Sequence, residues 1–170
     1  MHRHGNHQRE DLTGEHTAGD RGQIIFACIF AAVWASDAFF LHYSTFPTRY
    51  MITAVKLPIS IFLLVMAAYL AIRGLAIVFG EKRDPPAVIE KSVFGVVRHP
   101  VYLAEILLYL GLLIGNMSLA ALGMWIGAII FLHRIARYEE NLLLARFGEK
   151  YRQYMARVPM WLPRISRGHG

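Results

Sequence analysis

Four long apolar runs dominate this chain, and they fix what it can fold into. Residues 24–41 read IIFACIFAAVWASDAFFL and residues 57–72 read LPISIFLLVMAAYLAI, the second extending with one arginine, Arg73, as far as Phe79. Residues 101–114 and 117–132 are two more runs, separated only by Gly115 and Asn116. Eighteen residues in a helix cover about 27 Å at 1.5 Å per residue, close to the thickness of a bilayer's hydrocarbon. The runs therefore predict an all-α, polytopic membrane protein with about four transmembrane helices, the last two forming a tight hairpin. Charge agrees, since only 18% of residues are Asp, Glu, Lys or Arg, against roughly 25% in an ordinary soluble domain. Pro58 near the start of the second run suits a first helical turn.

The polar segments divide the rest. Residues 1–23 hold one leucine, no aromatic residue, and three arginines against four acids; they read as a disordered tail, too long and too mixed in charge for a secretory signal. His2, His4, His7 and His16 lie in it and could bind metal only adventitiously. No metal site is expected, and the single cysteine, Cys28, lies inside an apolar run. Residues 24–79 hold the first two spans. Residues 80–170 form a third unit: a connecting loop rich in charge, Pro and Gly, the hairpin, and after His133 a stretch alternating apolar and charged residues at helical spacing. That stretch predicts an amphipathic C-terminal helix at the cytoplasmic membrane surface.

The net charge of +6 fits either nucleic acid or a membrane, and its distribution decides. With four spans, sixteen of the eighteen Lys and Arg residues fall on one side, leaving only Arg49 and Lys56 opposite. That asymmetry places both termini in the cytoplasm. The chain is expected in a bacterial inner membrane, with the lipid bilayer as its partner and no nucleic acid.

Polar residues within or beside the runs are the functional candidates. Asp37 and Glu105 lie inside apolar runs, where an unpaired carboxylate is costly; Asp37 can reach the outer interface near His42, and Glu105 can pair with a nearby Arg or Lys. Gly111, Gly115, Gly123 and Gly127 have the spacing that allows close helix approach. A sharper cluster follows from the hairpin, which returns the chain to the side it left. Arg98, His99, Pro100 and Tyr102, at the mouth of the third span, are thereby brought beside Glu139 and Glu140 at the start of the amphipathic helix. Arg and His hold carboxylates, Tyr stacks or donates a hydrogen bond, and paired Glu residues neutralise a cation. A solvated interfacial charge network is the bland alternative.

The segment RHPVY, followed by a hairpin and then EENLLLARFGEKYRQYMARVPMWLP, resembles the isoprenylcysteine carboxyl methyltransferase and phospholipid methyltransferase superfamily of integral membrane enzymes over residues 80–164. The resemblance implies S-adenosylmethionine as cofactor, S-adenosylhomocysteine as product, and a lipophilic small-molecule or lipid-linked substrate entering from the bilayer. It implies that His99, Pro100, Val101 and Tyr102 line the cofactor pocket, with Glu139 as the leading cofactor-contacting acid and Glu140 second. Val88 and Ile89, with Ala87, would add backbone contacts. Phe94 stands where many members have a tyrosine, keeping the ring without the hydroxyl. Ile135 stands where prenylcysteine enzymes have an arginine, so a different acceptor is open, with Arg98, Arg134 and Arg137 as candidate guanidinium groups.

Methyl transfer from a sulfonium to a carboxylate or thiolate needs alignment and exclusion of water, whereas an amine must first lose a proton. Glu105, Glu140 or His99 could accept it. An NADPH-dependent membrane reductase and a non-enzymatic scaffold or transporter using Asp37 and Glu105 are the competing classes. The PMWLP ending is expected to stop the helix and fold back as a cap, with Trp161 suited to the headgroup zone.

Overall fold

The computed structural model describes residues 17–45, 52–80 and 86–163. The tail histidines, Arg49, Lys82, Arg83, Arg164 and Arg167 lie outside the described residues. No strand occurs among those described. Helix α1 spans Thr17–Ala35 and continues as a π-helical turn over Ser36–Leu41; α2 spans Thr53–Gly80, α3 Pro100–Asn116, α4 Leu119–Phe147 and α5 Glu149–Arg157. Among the described residues, three stretches are long and apolar enough to cross a membrane: Arg21–Leu41, Thr53–Gly80 and Leu119–Phe147. The third run of the sequence is a shorter apolar helix of 17 residues.

Two helices are longer than their apolar runs. Helix α1 starts at Thr17, ahead of Ile24, and α2 starts at Thr53, so Pro58 sits in its second turn instead of its first. The amphipathic stretch after His133 is not a separate helix. With no Gly or Pro between His133 and Gly148 to stop it, α4 runs unbroken to Phe147. Glu139 and Glu140 therefore lie in its last third. Gly148, at φ 54°, ends α4 with its N–H donating to Leu144 O at 2.9 Å, and the surface helix is reduced to the nine residues of α5.

Helix α3 is central, with α2 along one side and α1 and α4 along the other. Its contact with α2 is close because Gly111 has no side chain: a Cβ there would meet Leu64 at 3.0 Å and Ser60 O at 3.3 Å. The Ser60 hydroxyl donates to Gly111 O at 2.7 Å across the same contact. Gly115 also faces Ser60, whereas Gly123 faces open space. Gly74, on the α2 side, makes a second close approach, at Val101. Between α1, α3 and α4 the packing is aromatic. Phe30 is buried and stacks on Tyr109 with centroids 4.1 Å apart, and the Trp34 and Trp125 indoles donate to Leu112 O and Ile106 O.

The two intramembrane acids have local partners. Asp37 is buried at the end of α1, where its carboxylate accepts from the Ser44 backbone N–H and from the Ser44 and Ser118 hydroxyls. Ser118 is the N-cap of α4, its oxygen accepting from Ala121 N at 3.1 Å. Glu105 pairs with the Tyr109 hydroxyl one turn along α3, not with Arg or Lys. One prediction follows from the Asp37 knot. Ser118→Ala removes both the helix cap and a carboxylate partner, so it should destabilise the protein by about 1–3 kcal/mol, read as a lower Tm in detergent.

Candidate active site

At the end of the bundle away from Asp37, residues 86–99 lead into α3. After a short 3-10 turn at Ser92–Gly95, Val97 is buried and His99 takes the N-cap of α3, with Pro100 in the first turn. Proline is favoured there because its missing N–H is one the helix leaves unpaired. Antiparallel packing of α3 and α4 then sets the RHPVY residues against Glu139 and Glu140.

His99 is buried between the two acids. Its Nε2 is 3.3 Å from Glu140 Oε1 and its Nδ1 is 3.8 Å from Glu139 Oε2. The imidazole stacks on Tyr102 with centroids 5.5 Å apart and planes at 4°, and the Tyr102 hydroxyl donates to Glu139. The Trp161 ring lies 5.9 Å from His99, tilted by 39°, and donates from Nε1 to His133 Nδ1 at 3.2 Å. The PMWLP segment does fold back, packing Met160 and Trp161 against Tyr102, Leu132 and Ala136.

Arg98 joins this centre to the C-terminal segment. Its Nε donates to Glu140 Oε1 at 2.7 Å, and its NH1 donates to Met155 O at 3.1 Å and Val158 O at 2.6 Å. Its backbone N–H donates to Pro159 O at 2.9 Å. Two further ties run in parallel, from the Tyr154 hydroxyl to Phe94 O at 2.7 Å and between Arg157 and Glu90 at 2.7 Å. Helix α5 is thereby fastened to the segment that leads into α3. Tyr151 and Tyr154 are buried in α5, and burial is the main cause that raises both hydroxyls above the ordinary phenol range. Nearby Glu140 adds to the shift at Tyr151, and both stay protonated hydrogen-bond donors at neutral pH.

These elements enclose a cavity of about 290 Å³, near the low end of the usual range for small-molecule sites. Val88, Ile89, Phe94, His99, Pro100, Val101, Tyr102 and Glu139 line it, as does Arg98. Glu140 is not in the wall. It stands behind, 1% exposed, bonded to Arg98 and His99, with its Oε2 lacking a hydrogen-bond partner and Arg137 NH1 at 3.6 Å. Arg137 is otherwise exposed, Arg134 is exposed on α4, and neither lines the cavity; Glu105 also lies outside it. Of the four residues expected to act chemically, Arg98 alone reaches the wall.

The sequence reading missed a wall on each side. Leu143, Arg146 and Phe147 follow Glu139 on one face of α4 at intervals of four, seven and eight residues, and Tyr151 and Tyr154 complete that side. Helical spacing from Glu139 is the signal that finds the first three, and the FGEKYRQY motif carries the two tyrosines. Leu75, Val78 and Phe79 supply an apolar face from α2, also at helical spacing. Gln23 from α1 has no sequence signal.

The fold and site define a helical membrane protein with a cavity at one end, polar and aromatic on one side and apolar on the other. The family model for phospholipid methyltransferase matches residues 49–150, more than half of the chain, and the chain belongs to that family, making it a membrane methyltransferase. No curated protein and no solved structure gives a significant match.

The Arg98–Glu140 pair generates a stability prediction. Both side chains are nearly inaccessible, at 9% and 1%. Arg98→Met strips the buried Glu140 carboxylate of its nearest cation, leaving His99 at 3.3 Å and Arg137 at 3.6 Å, and should cost up to about 3–5 kcal/mol. Adding Glu140→Leu should recover much of that loss, so thermal unfolding in detergent should place the double variant above the single one.

Proposed function

We propose that this chain transfers a methyl group from S-adenosylmethionine to a lipophilic acceptor and releases S-adenosylhomocysteine. The reaction would occur at the cytoplasmic face of a bacterial inner membrane, with both termini in the cytoplasm. The observation that carries this reading is the composition of the cavity wall, where Glu139, His99 and Tyr102 face an apolar surface made by Leu75, Val78 and Phe79 of a membrane-crossing helix. Such a wall suits a polar, cationic cofactor on one side and a lipid-soluble partner on the other. The orientation rests on the placement of sixteen of the eighteen basic residues on one side of four spans.

The donor set fits the cofactor. A ribose diol needs an acceptor, and Glu139 supplies a carboxylate at the wall. A sulfonium is favoured by carboxylate and by aromatic faces, and Tyr102, Phe94 and Phe147 provide rings. Arg98 and Arg146 provide guanidinium groups for an anion. Bound there, the cofactor would supply a methyl group activated by the positive charge on sulfur.

The protein's part is alignment and water exclusion. The folded-back Met160–Trp161 segment and α5 shield the His99 side, and exclusion of water strengthens the electrostatic contacts inside. A carboxylate or thiolate acceptor needs no base. For an amine acceptor, His99 is the wall group that can hold the released proton, because its Nε2 faces Glu140 and its Nδ1 faces Glu139. Glu105, bonded to Tyr109 outside the cavity, is not positioned for that step.

Calorimetry on the purified protein tests the reading. S-adenosylhomocysteine should bind, and saturation at 100 times Kd should add about 2.7 kcal/mol of stability. His99→Ala should weaken binding roughly tenfold or more, while Asp37→Asn, altered at the opposite end of the bundle, should leave the affinity unchanged. Absence of binding heat, together with an unchanged Tm at saturating ligand, would defeat the proposal.

A further inference from the structure

We infer that the methyl acceptor reaches the cavity sideways from the bilayer, through a portal between α1 and α2, and that Gln23 holds its head group there by hydrogen bonding. The inference rests on the methyl-transfer reading above and gives the lipophilic substrate of that site a route and a polar contact.

Close helix contacts fix the two sides of the portal. On α1, a Cβ at Gly22 would meet the Phe131 ring of α4 at 2.9 Å, and Phe26, one turn on, stacks on the same ring with centroids 5.5 Å apart. On α2, a Cβ at Gly74 would meet Val101 of α3 at 2.8 Å. The residue after each glycine, Gln23 and Leu75, lines the cavity. Each helix is thus seated on a different neighbour, α1 on α4 and α2 on α3, immediately beside the residue it gives to the wall.

Exposure locates the thin part of that wall. Leu75 and Phe79 line the cavity, yet they are 42% and 55% exposed on a helix that is long and apolar enough to cross a membrane. Side chains that border the cavity and also reach the outside of the bundle make a wall one residue thick. Volume sets how much of the acceptor enters. At about 290 Å³ the cavity is near the low end for a single small molecule, so a bound cofactor leaves room for a head group, and the acceptor's chain stays in the bilayer.

Gln23 is the polar member of this doorway. Among the lining residues that α1 and α2 contribute, it alone is polar. It is half-buried and immediately precedes the apolar run that starts at Ile24, which sets it where the hydrocarbon ends and the lipid head groups begin. Its amide both donates and accepts hydrogen bonds. Because the amide carries no charge, it meets a head group at an apolar opening with far less loss of hydration than an ion would.

The test follows two quantities in the full-length protein. Membranes carrying it are incubated with S-adenosylmethionine labelled on the methyl group and the label in the organic-extractable fraction is timed; S-adenosylhomocysteine is titrated calorimetrically into the same variants in detergent. Gln23→Leu should slow labelling roughly tenfold, the effect of one lost hydrogen bond, and leave the Kd for S-adenosylhomocysteine unchanged. Gln23→Asn, which keeps the amide on a shorter stem, should fall between. Leu75→Trp, which fills the portal from the α2 side, should also slow labelling at unchanged Kd. Undiminished labelling in either Gln23→Leu or Leu75→Trp overturns the inference and leaves the methyl-transfer reading standing. Affinity for S-adenosylhomocysteine that falls in step with the rate in Gln23→Leu also overturns it, since Gln23 would then serve the cofactor. A wild-type protein that binds S-adenosylhomocysteine but passes no label to the organic fraction has no membrane-borne acceptor, which overturns the portal and not the cofactor. If the wild-type protein does not bind S-adenosylhomocysteine, the cofactor reading itself fails, and this inference with it.

Discussion

Arg98 and Glu140 meet at 2.7 Å with almost no access to water, and three parts of the molecule depend on that contact. Glu140 belongs to α4, Arg98 to the turn that starts α3, and the remaining Arg98 bonds reach Met155 and Val158 at the end of α5. The same Glu140 oxygen lies 3.3 Å from His99 Nε2, so the ion pair also orients the imidazole in the cavity wall. A guanidinium can serve this junction because its several N–H groups point in fixed, divergent directions. A lysine could neutralise Glu140 but could not tie two carbonyls from the same rigid plane. Buried pairs of this kind contribute modestly to net stability; here the geometry they impose is what matters, since it fixes the relative positions of three walls of one cavity.

The second constraint is the membrane. Helix α3 must carry the RHPVY residues into a bundle whose outer surfaces are apolar, with no water to satisfy stray backbone groups. Gly74 and Gly111 let α2 lie close against it, which places Leu75, Val78 and Phe79 at the cavity. The opposite end is closed by a different device, Asp37 with the hydroxyls of Ser44 and Ser118, which also caps α4. The bundle is thus pinned by polar contacts at both ends and by aromatic packing of Phe30 and Tyr109 between them. The end away from Asp37 holds the cavity, with Glu139 and His99 in its wall.

Much of this was legible in the sequence because length and apolarity nearly determine a membrane helix. The runs located α1, α2 and the hairpin, and the turn around Gly115 and Asn116 made it certain that RHPVY and the paired glutamates share an end. Boundaries were less legible. Nothing in the alternation after His133 distinguishes a new helix from a continuation of α4; that depends on the absence of a breaker before Gly148. Likewise Glu105 and Arg137 carry the right functional groups, but rotation around the helix decides what a residue faces. Glu105 turns toward Tyr109 and Arg137 toward Glu140. Arg146 was overlooked for the converse reason, since its place in the wall depends on its phase relative to Glu139, not on any motif. Contacts from α1 and α2, which are distant in sequence, were the least legible.

The central claim is that this cavity brings a methyl donor and a membrane-soluble acceptor together. Membranes containing the protein, incubated with S-adenosylmethionine labelled on its methyl group, test it most directly. The account predicts label in the organic-extractable fraction, lost when His99 is replaced by Ala and retained with Asp37→Asn. Label that never enters that fraction above membranes lacking the protein, or that persists undiminished in the His99 variant, would contradict it.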